Sequence, residues 1–487
     1  MKLQKIVWVL AIALVLGVTA IRAQDQKEDP QSVTPTSPIP PMDSGGSNGL
    51  GQKPAPAARG VSSAYDPQPY DPAQVEPDTN TLSGAELFGV GSLQHSRNLF
   101  DPTVSFSALG TSGATGTAGQ STLQGETIAG GSLNFNRIWS RYHFTTTYNG
   151  GETLYLNQGP EPNQSFHNLV VAQEIDWERW RLHLLDAFTA SPGASFGGIG
   201  MGGPGFMGQF FSMPGASLGQ GFAPTETIQT GLAMRYMNTV LGEAEYSFSR
   251  RSAFTFSGSY GILDFPGAGY ISSDNINGQA GYDYLLDPKD SIAVMANYGK
   301  IDYTGSPIST VDYGAAFSFG RKITGRLAFQ AGGGPELIRD TGTAGGNFQN
   351  WTWSVNSALT YQFRRSGFSL AFMRGLTNGS GVLYGATSYT VSGSLHHQFT
   401  RFWSGSVNGG YAFNRSLAPV GTPTINFNTW FIGANIGRQL GRHASVSFNY
   451  GLLKQYNAVV CPVTSCGGTG FQQTGGMTVN WHLRSVE

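Results

Sequence analysis

The sequence is poor in charge. Lys, Arg, Asp and Glu together make up 12% of 487 residues, about half the ordinary share. The 29 basic and 30 acidic side chains leave a net charge of -1, so the basic surplus that marks nucleic-acid binding is missing. No GxxxxGK[ST] phosphate loop occurs. Cysteine is limited to 2 residues, in the stretch VVCPVTSCGG, which offers too few ligands for a metal site. Beyond the N-terminus no run reaches the roughly 18 apolar residues of a spanning helix, and a mean hydropathy of -0.17 agrees. A bundle of membrane helices is excluded.

What the chain has instead is glycine and aromatic rings. Gly numbers 68, about twice the ordinary share, and aromatics are 12%. High Gly, low charge and no long apolar runs point to β-structure with one apolar face. Residues 1–23 read as a secretory signal peptide. Lys2 and Lys5 give a positive start, Ile6 to Val18 a short apolar core, and small residues follow up to Ala23. Residues 24–80 are rich in Pro, Ser, Gly and Gln and lack the apolar residues for a core. They read as a disordered linker, either a solvated tail or a tether to a periplasmic partner. Residues 81–100 carry Leu82, Leu87, Phe88, Val90 and Leu93, enough apolar surface for a docking latch or a plug.

From Asp101 onward the pattern has period two. Phe254, Phe256, Tyr260 and Ile262 share one face of a strand; Ala253, Thr255, Ser257, Ser259 and Gly261 share the other. Val311 to Phe319 and Ala444 to Leu452 repeat the figure. Short polar turns interrupt it near 136–141, 177–179, 249–252, 287–290, 321–324, 364–366, 400–402 and 438–442, most of them bearing arginine. Eight hairpins give sixteen strands. Flanking segments at Asp101–Leu109 and Phe471–Leu483 raise the count to eighteen. Thr225–Met237 fits a loop strand, a helix or the top of a long strand. Short turns on one rim and long loops on the other predict an all-β fold: a transmembrane antiparallel up-and-down barrel of eighteen strands, with sixteen as the alternative. Trp351 to Phe363 fits, with aromatics at both ends of one face and aliphatic residues between.

The final strand reads TGGMTVNWHL. Thr474, Gly476, Val479 and Trp481 have the spacing of a C-terminal assembly signal. From Asp101 to the end, the chain resembles the porin-like outer-membrane β-barrel proteins of Gram-negative bacteria. It departs from them in running on through Arg484–Glu487. The resemblance implies outer-membrane lipid as surroundings, and recognition by barrel-assembly machinery through Gly476, Val479 and Trp481.

Inward positions are mostly small and polar, and a barrel this wide is not filled by side chains alone. It holds water or a folded-in loop. The expected pore-lining charges are Glu174, Asp176, His183, Glu243, Glu245, Asp283, Asp312 and Arg326, in which acids outnumber bases and predict a weak cation preference. The segment 191–223 carries Phe196, Met201, Phe206, Met207, Phe210 and Phe211 among glycines. It is a candidate constriction loop; contact with other molecules and disorder remain open. Export favours a disulfide between Cys461 and Cys466. His143 and His183 face inward, but no spacing joins a Ser, a His and an acid into a triad, so no enzyme, cofactor or metal is expected. Passive, porin-like diffusion of small polar solutes is the expected function. A structural or secretion-associated barrel, with tail and loop binding partners, is the alternative.

Overall fold

The computed structural model describes residues 99–112, 123–156, 163–192, 227–228, 233–267, 269–324, 326–342, 347–417, 424–441, 443–457 and 471–483. The signal segment, the linker, all but the last two residues of the 81–100 segment, Phe196 to Phe211, both cysteines and Arg484–Glu487 lie outside them.

Eighteen strands form one sheet. They are β1 (Leu99–Ser112), β2 (Leu123–Trp139), β3 (Tyr142–Tyr155), β4 (Gln164–Asp176), β5 (Trp180–Pro192) and β6 (Met234–Ser247). Then come β7 (Ser252–Asp264), β8 (Ser273–Leu285), β9 (Asp290–Tyr303), β10 (Ser309–Thr324), β11 (Leu327–Thr341) and β12 (Phe348–Gln362). The last six are β13 (Ser366–Thr377), β14 (Ala386–Gln398), β15 (Trp403–Ser416), β16 (Asn426–Gln439), β17 (Ala444–Asn457) and β18 (Phe471–His482). Each pairs antiparallel with its sequence neighbours, and β18 pairs with β1 from Thr103↔His482 to Ser112↔Gln473. The barrel is closed, with a partner strand on both sides of every strand; along the ladders, the loop-end part of β12 before Val355 lacks its β13 partner.

Three of the eight short turns share a device. A hydroxyl or carboxylate opens the turn and accepts backbone N–H groups two and three residues on. Thr324 Oγ1 takes the N–H groups of Arg326 and Leu327, and Thr400 Oγ1 those of Phe402 and Trp403. Asp287 accepts from Lys289 at 2.7 Å and Asp290 at 2.8 Å, and these N–H groups hold its carboxyl below the usual range. One boundary moves. β10 runs through the expected fifth turn to Thr324, with a register irregularity between Lys322 and Thr324.

The alternation sorts the side chains. Val104, Phe106, Val294, Phe317, Val407 and Ile432 are exposed on the outer face, while Ser107, Thr255, Ser318 and Thr429 are buried on the inner one. Aromatics cluster near both ends of the outer face. Phe248, Phe254 and Tyr282 pack together at the turn end, with centroids 5.1 to 6.1 Å apart. Trp353, Tyr389 and Phe413 form a row toward the loop end. Inside, hydroxyls bond across strands: Ser107 with Thr478 at 2.9 Å, Ser369 with Ser394 at 2.7 Å.

A charge on the outer face is expected to cost far more than one on the inner face. Phe317→Arg, mid-strand on β10, should lose about 2–4 kcal/mol in urea unfolding from phospholipid vesicles. Asn149→Lys, inward on β3, should lose less than about 1 kcal/mol.

Candidate functional site

Among the described residues the polar side chains converge on the inner face, and its two ends differ. At the turn end, register places Glu174 (β4), His183 (β5) and Glu243 (β6) in one row, with Asp176, Arg181 and Glu245 in the next. Arg181 ties that second row together: its Nε lies 3.4 Å from Asp176 Oδ1, and its Nη1 3.1 Å from Glu245 Oε2. His143 on β3 extends the first row, with Nδ1 3.4 Å from Glu174 Oε2. Asp283 on β8 accepts a 3.0 Å hydrogen bond from Thr255 on β7.

Asp312 faces inward at the loop end, on β10. Its carboxylate lies across Gly299 of β9, where any Cβ would collide with it. Arg326 is the exception among the eight expected charges. Because β10 extends to Thr324, Arg326 falls in the β10–β11 turn and is exposed there, not on the inner face. Parity counted through the irregularity gave it the wrong side. Other inward charges escaped the sequence: Asp101 (β1) and Arg181 (β5) at the turn end, and Glu126 (β2), Arg235 (β6), Glu336 and Asp340 (β11), buried at the loop end. Asp340 accepts from Thr310 Oγ1 at 3.1 Å. Parity carried out to the true strand ends would have found them.

The inner face is also less uniformly small than the alternation suggested. Toward the loop end, Met237, Leu263, Ile338, Phe427 and Phe431 point inward and are buried. Chain that folds into the barrel covers several of them. The β13–β14 connection, 378–385, turns inward as a short 3₁₀ turn at Gly379–Gly381. Asn378 Nδ2 donates to Ser273 at the start of β8, and Gly381 C=O accepts the Ile271 N–H at 2.8 Å. On the other side, Gly385 C=O accepts the Leu417 N–H beyond β15. The segment therefore bridges the walls at β8 and β15.

Two residues of the β5–β6 connection complete the bridge. Ser380 Oγ accepts the N–H groups of Thr227 and Ile228, and Thr227 Oγ1 donates to Asn414 Oδ1 on β15 at 2.7 Å. Ile228 is buried against Leu383, Ala386 and Phe427. β15 stands on the far side of the barrel from β5 and β6 in the strand order, so this connection spans the lumen. Sequence reasoning placed the constriction in 191–223, of which 193–223 lies outside the described residues; the described crossing is made by Thr227 and Ile228, in the segment 225–237 that the sequence left open, and by 378–385, which nothing in the sequence had marked. Gly381 is the position that permits it. At its φ of 75° a side chain is strained, and a Cβ would strike the Phe265 ring.

No protein-family model and no curated protein matches the chain. Solved structures do. The outer membrane protein opdK from Pseudomonas aeruginosa is 10% identical over 80% of this chain and 99% of its own, with a TM-score of 0.38. OccK2 (OpdF) from the same organism is 9% identical over 79% and 98%, at 0.39. A BenF-like porin from Pseudomonas fluorescens Pf-5 is 10% identical over 79% and 98%, at 0.38. Likeness at this level carries no inference about what this chain does.

Gly381→Val is expected to expel the 378–385 segment without opening the barrel. In a Cys461→Ser/Cys466→Ser background, a cysteine at position 383 should react with a water-soluble maleimide about tenfold faster once Gly381 is replaced. An unchanged rate would mean that the segment holds its place without glycine.

Proposed function

We propose that the protein is an outer-membrane porin: a passive diffusion channel for small polar solutes, narrowed by chain folded in from its loop end. The observation that carries this is the side-chain alternation around a closed wall of eighteen strands, with exposed apolar residues outside and polar residues inside. A continuous apolar outer band calls for lipid rather than water. A ring of this many strands encloses more space than side chains alone fill. Wall hydroxyls and amides such as Ser369, Ser394, Asn435 and Asn449 suit neutral or cationic polar solutes in transit. No step of chemistry is required of any residue, and the function is transport rather than catalysis.

Glu174, Asp176, His183, Glu243, Glu245, Asp283 and Asp312 serve as lining groups, with Glu126, Glu336 and Asp340 added. Arg181, Arg235 and Lys322 face them from the same wall. The excess of carboxylates favours cations. Gly476, Val479 and Trp481 at the closing strand are the proposed contact with assembly machinery, and the N-terminal segment is the proposed periplasmic arm.

Single-channel recording of the refolded full chain in a planar bilayer tests this. Stable conductance steps are expected, with a reversal potential in a KCl gradient that favours K⁺. Glu336→Gln with Asp312→Asn should move that potential toward zero. A folded barrel that never conducts would instead support a structural or assembly role.

A further inference from the structure

We propose that the inner wall at the turn end binds one divalent transition-metal ion of the Zn²⁺ class through His143, Glu174 and Asp176. One imidazole nitrogen and two carboxylate oxygens, from β3 and β4, lie within 4.8 Å of one another. The His143 Nδ1 to Glu174 Oε2 distance is 3.4 Å. Ligand atoms about 2.0–2.2 Å from a zinc ion stand roughly 3.0–3.5 Å apart, so this pair is already spaced for one, and only Asp176 has to close in.

Register makes the arrangement. His143 and Glu174 are direct cross-strand partners, and Asp176 is the next inward residue on β4. The far side of the same carboxylate is flanked by a second imidazole, His183 Nε2, 4.0 Å from Glu174 Oε1. A carboxylate set between two imidazoles is a mixed nitrogen and oxygen donor set. That mixture suits Zn²⁺ or Mn²⁺ and disfavours Ca²⁺ and Mg²⁺, which take oxygen alone. The surrounding charge favours a cation: Glu243 and Glu245 lie on the neighbouring strand, and Arg181 is the cation described among them. Arg181 Nε meets Asp176 at Oδ1, and Arg181 Nη1 keeps Glu245 when Asp176 turns to the ion. Nothing in this site depends on the channel being open.

Titration of the refolded full chain with ZnCl₂ in detergent micelles tests the site, in a Cys461→Ser/Cys466→Ser background that removes thiol binding. One Zn²⁺ per chain is expected, with at least about tenfold weaker binding in His143→Ala and in Asp176→Asn. Co²⁺ bound in place of Zn²⁺ should give a visible absorption band that His143→Ala abolishes. The adjacent pair His396→Ala/His397→Ala, remote on β14, should leave both readouts unchanged. His143 is partly exposed, its side chain 26% accessible, so its replacement is not expected to prevent folding. The proposal is overturned by absence of saturable binding, by binding that survives both His143→Ala and Asp176→Asn, or by binding that follows His396 and His397.

Discussion

Closure is the constraint on which everything else in this molecule depends. An open sheet of eighteen strands would present two rows of unpaired N–H and C=O groups, each costly away from water. Pairing β18 with β1 removes both rows at once. Closure fixes the tilt of every strand, and it divides the side chains into an outer and an inner set with no intermediate class. The low charge of the sequence follows, because the outer half of each strand has no use for ionised groups. The abundance of small residues follows too, because the inner half must leave room for solvent and for folded-in chain.

The inward connection competes with the wall that carries it. β12 and β13 pair only from Val355↔Arg374 to Gln362↔Gly367, so the loop-end half of β12 is held by β11 alone. β13 leaves the ladder because its continuation, 378–385, turns into the barrel. Arg374 fills the place where the ladder stops. Its guanidinium lies 3.9 Å from the Trp353 ring and 5.0 Å from that of Tyr389, and its Nη2 donates to Thr352. Cation–π stacking thus laces β12 to β14 where backbone hydrogen bonds do not reach. Narrowing the lumen and keeping the wall continuous are opposed demands, and this arginine reconciles them.

Charge is distributed by end, not by residue type. Carboxylates gather at the turn end around Arg181 and His143, and again at the loop end, at Glu126, Asp312, Glu336 and Asp340. The middle of the wall is lined by hydroxyls, amides and glycine. In the proposed channel a solute would meet two acidic belts separated by a neutral stretch. That layout can attract cations at either mouth without holding them along the whole path.

Strand number, hairpin positions and the facing of most side chains were fixed by the chain itself. Period-two alternation and turn-forming Ser, Thr and Asp residues are local signals, and they survive folding because closure rewards them. The inward side of Glu174, His183, Glu243 and Asp283 could be counted off from Phe254 or Leu184 for the same reason. Arg326 failed because one irregularity at Lys322 and Thr324 breaks the count. The crossing of the lumen was decided only by tertiary structure. Thr227 and Asn414 are 187 residues apart, and Thr227 and Ser380 are 153 apart. No local pattern encodes which loop turns inward. That choice depends on the shape of the space the finished barrel encloses and on the partners its walls present.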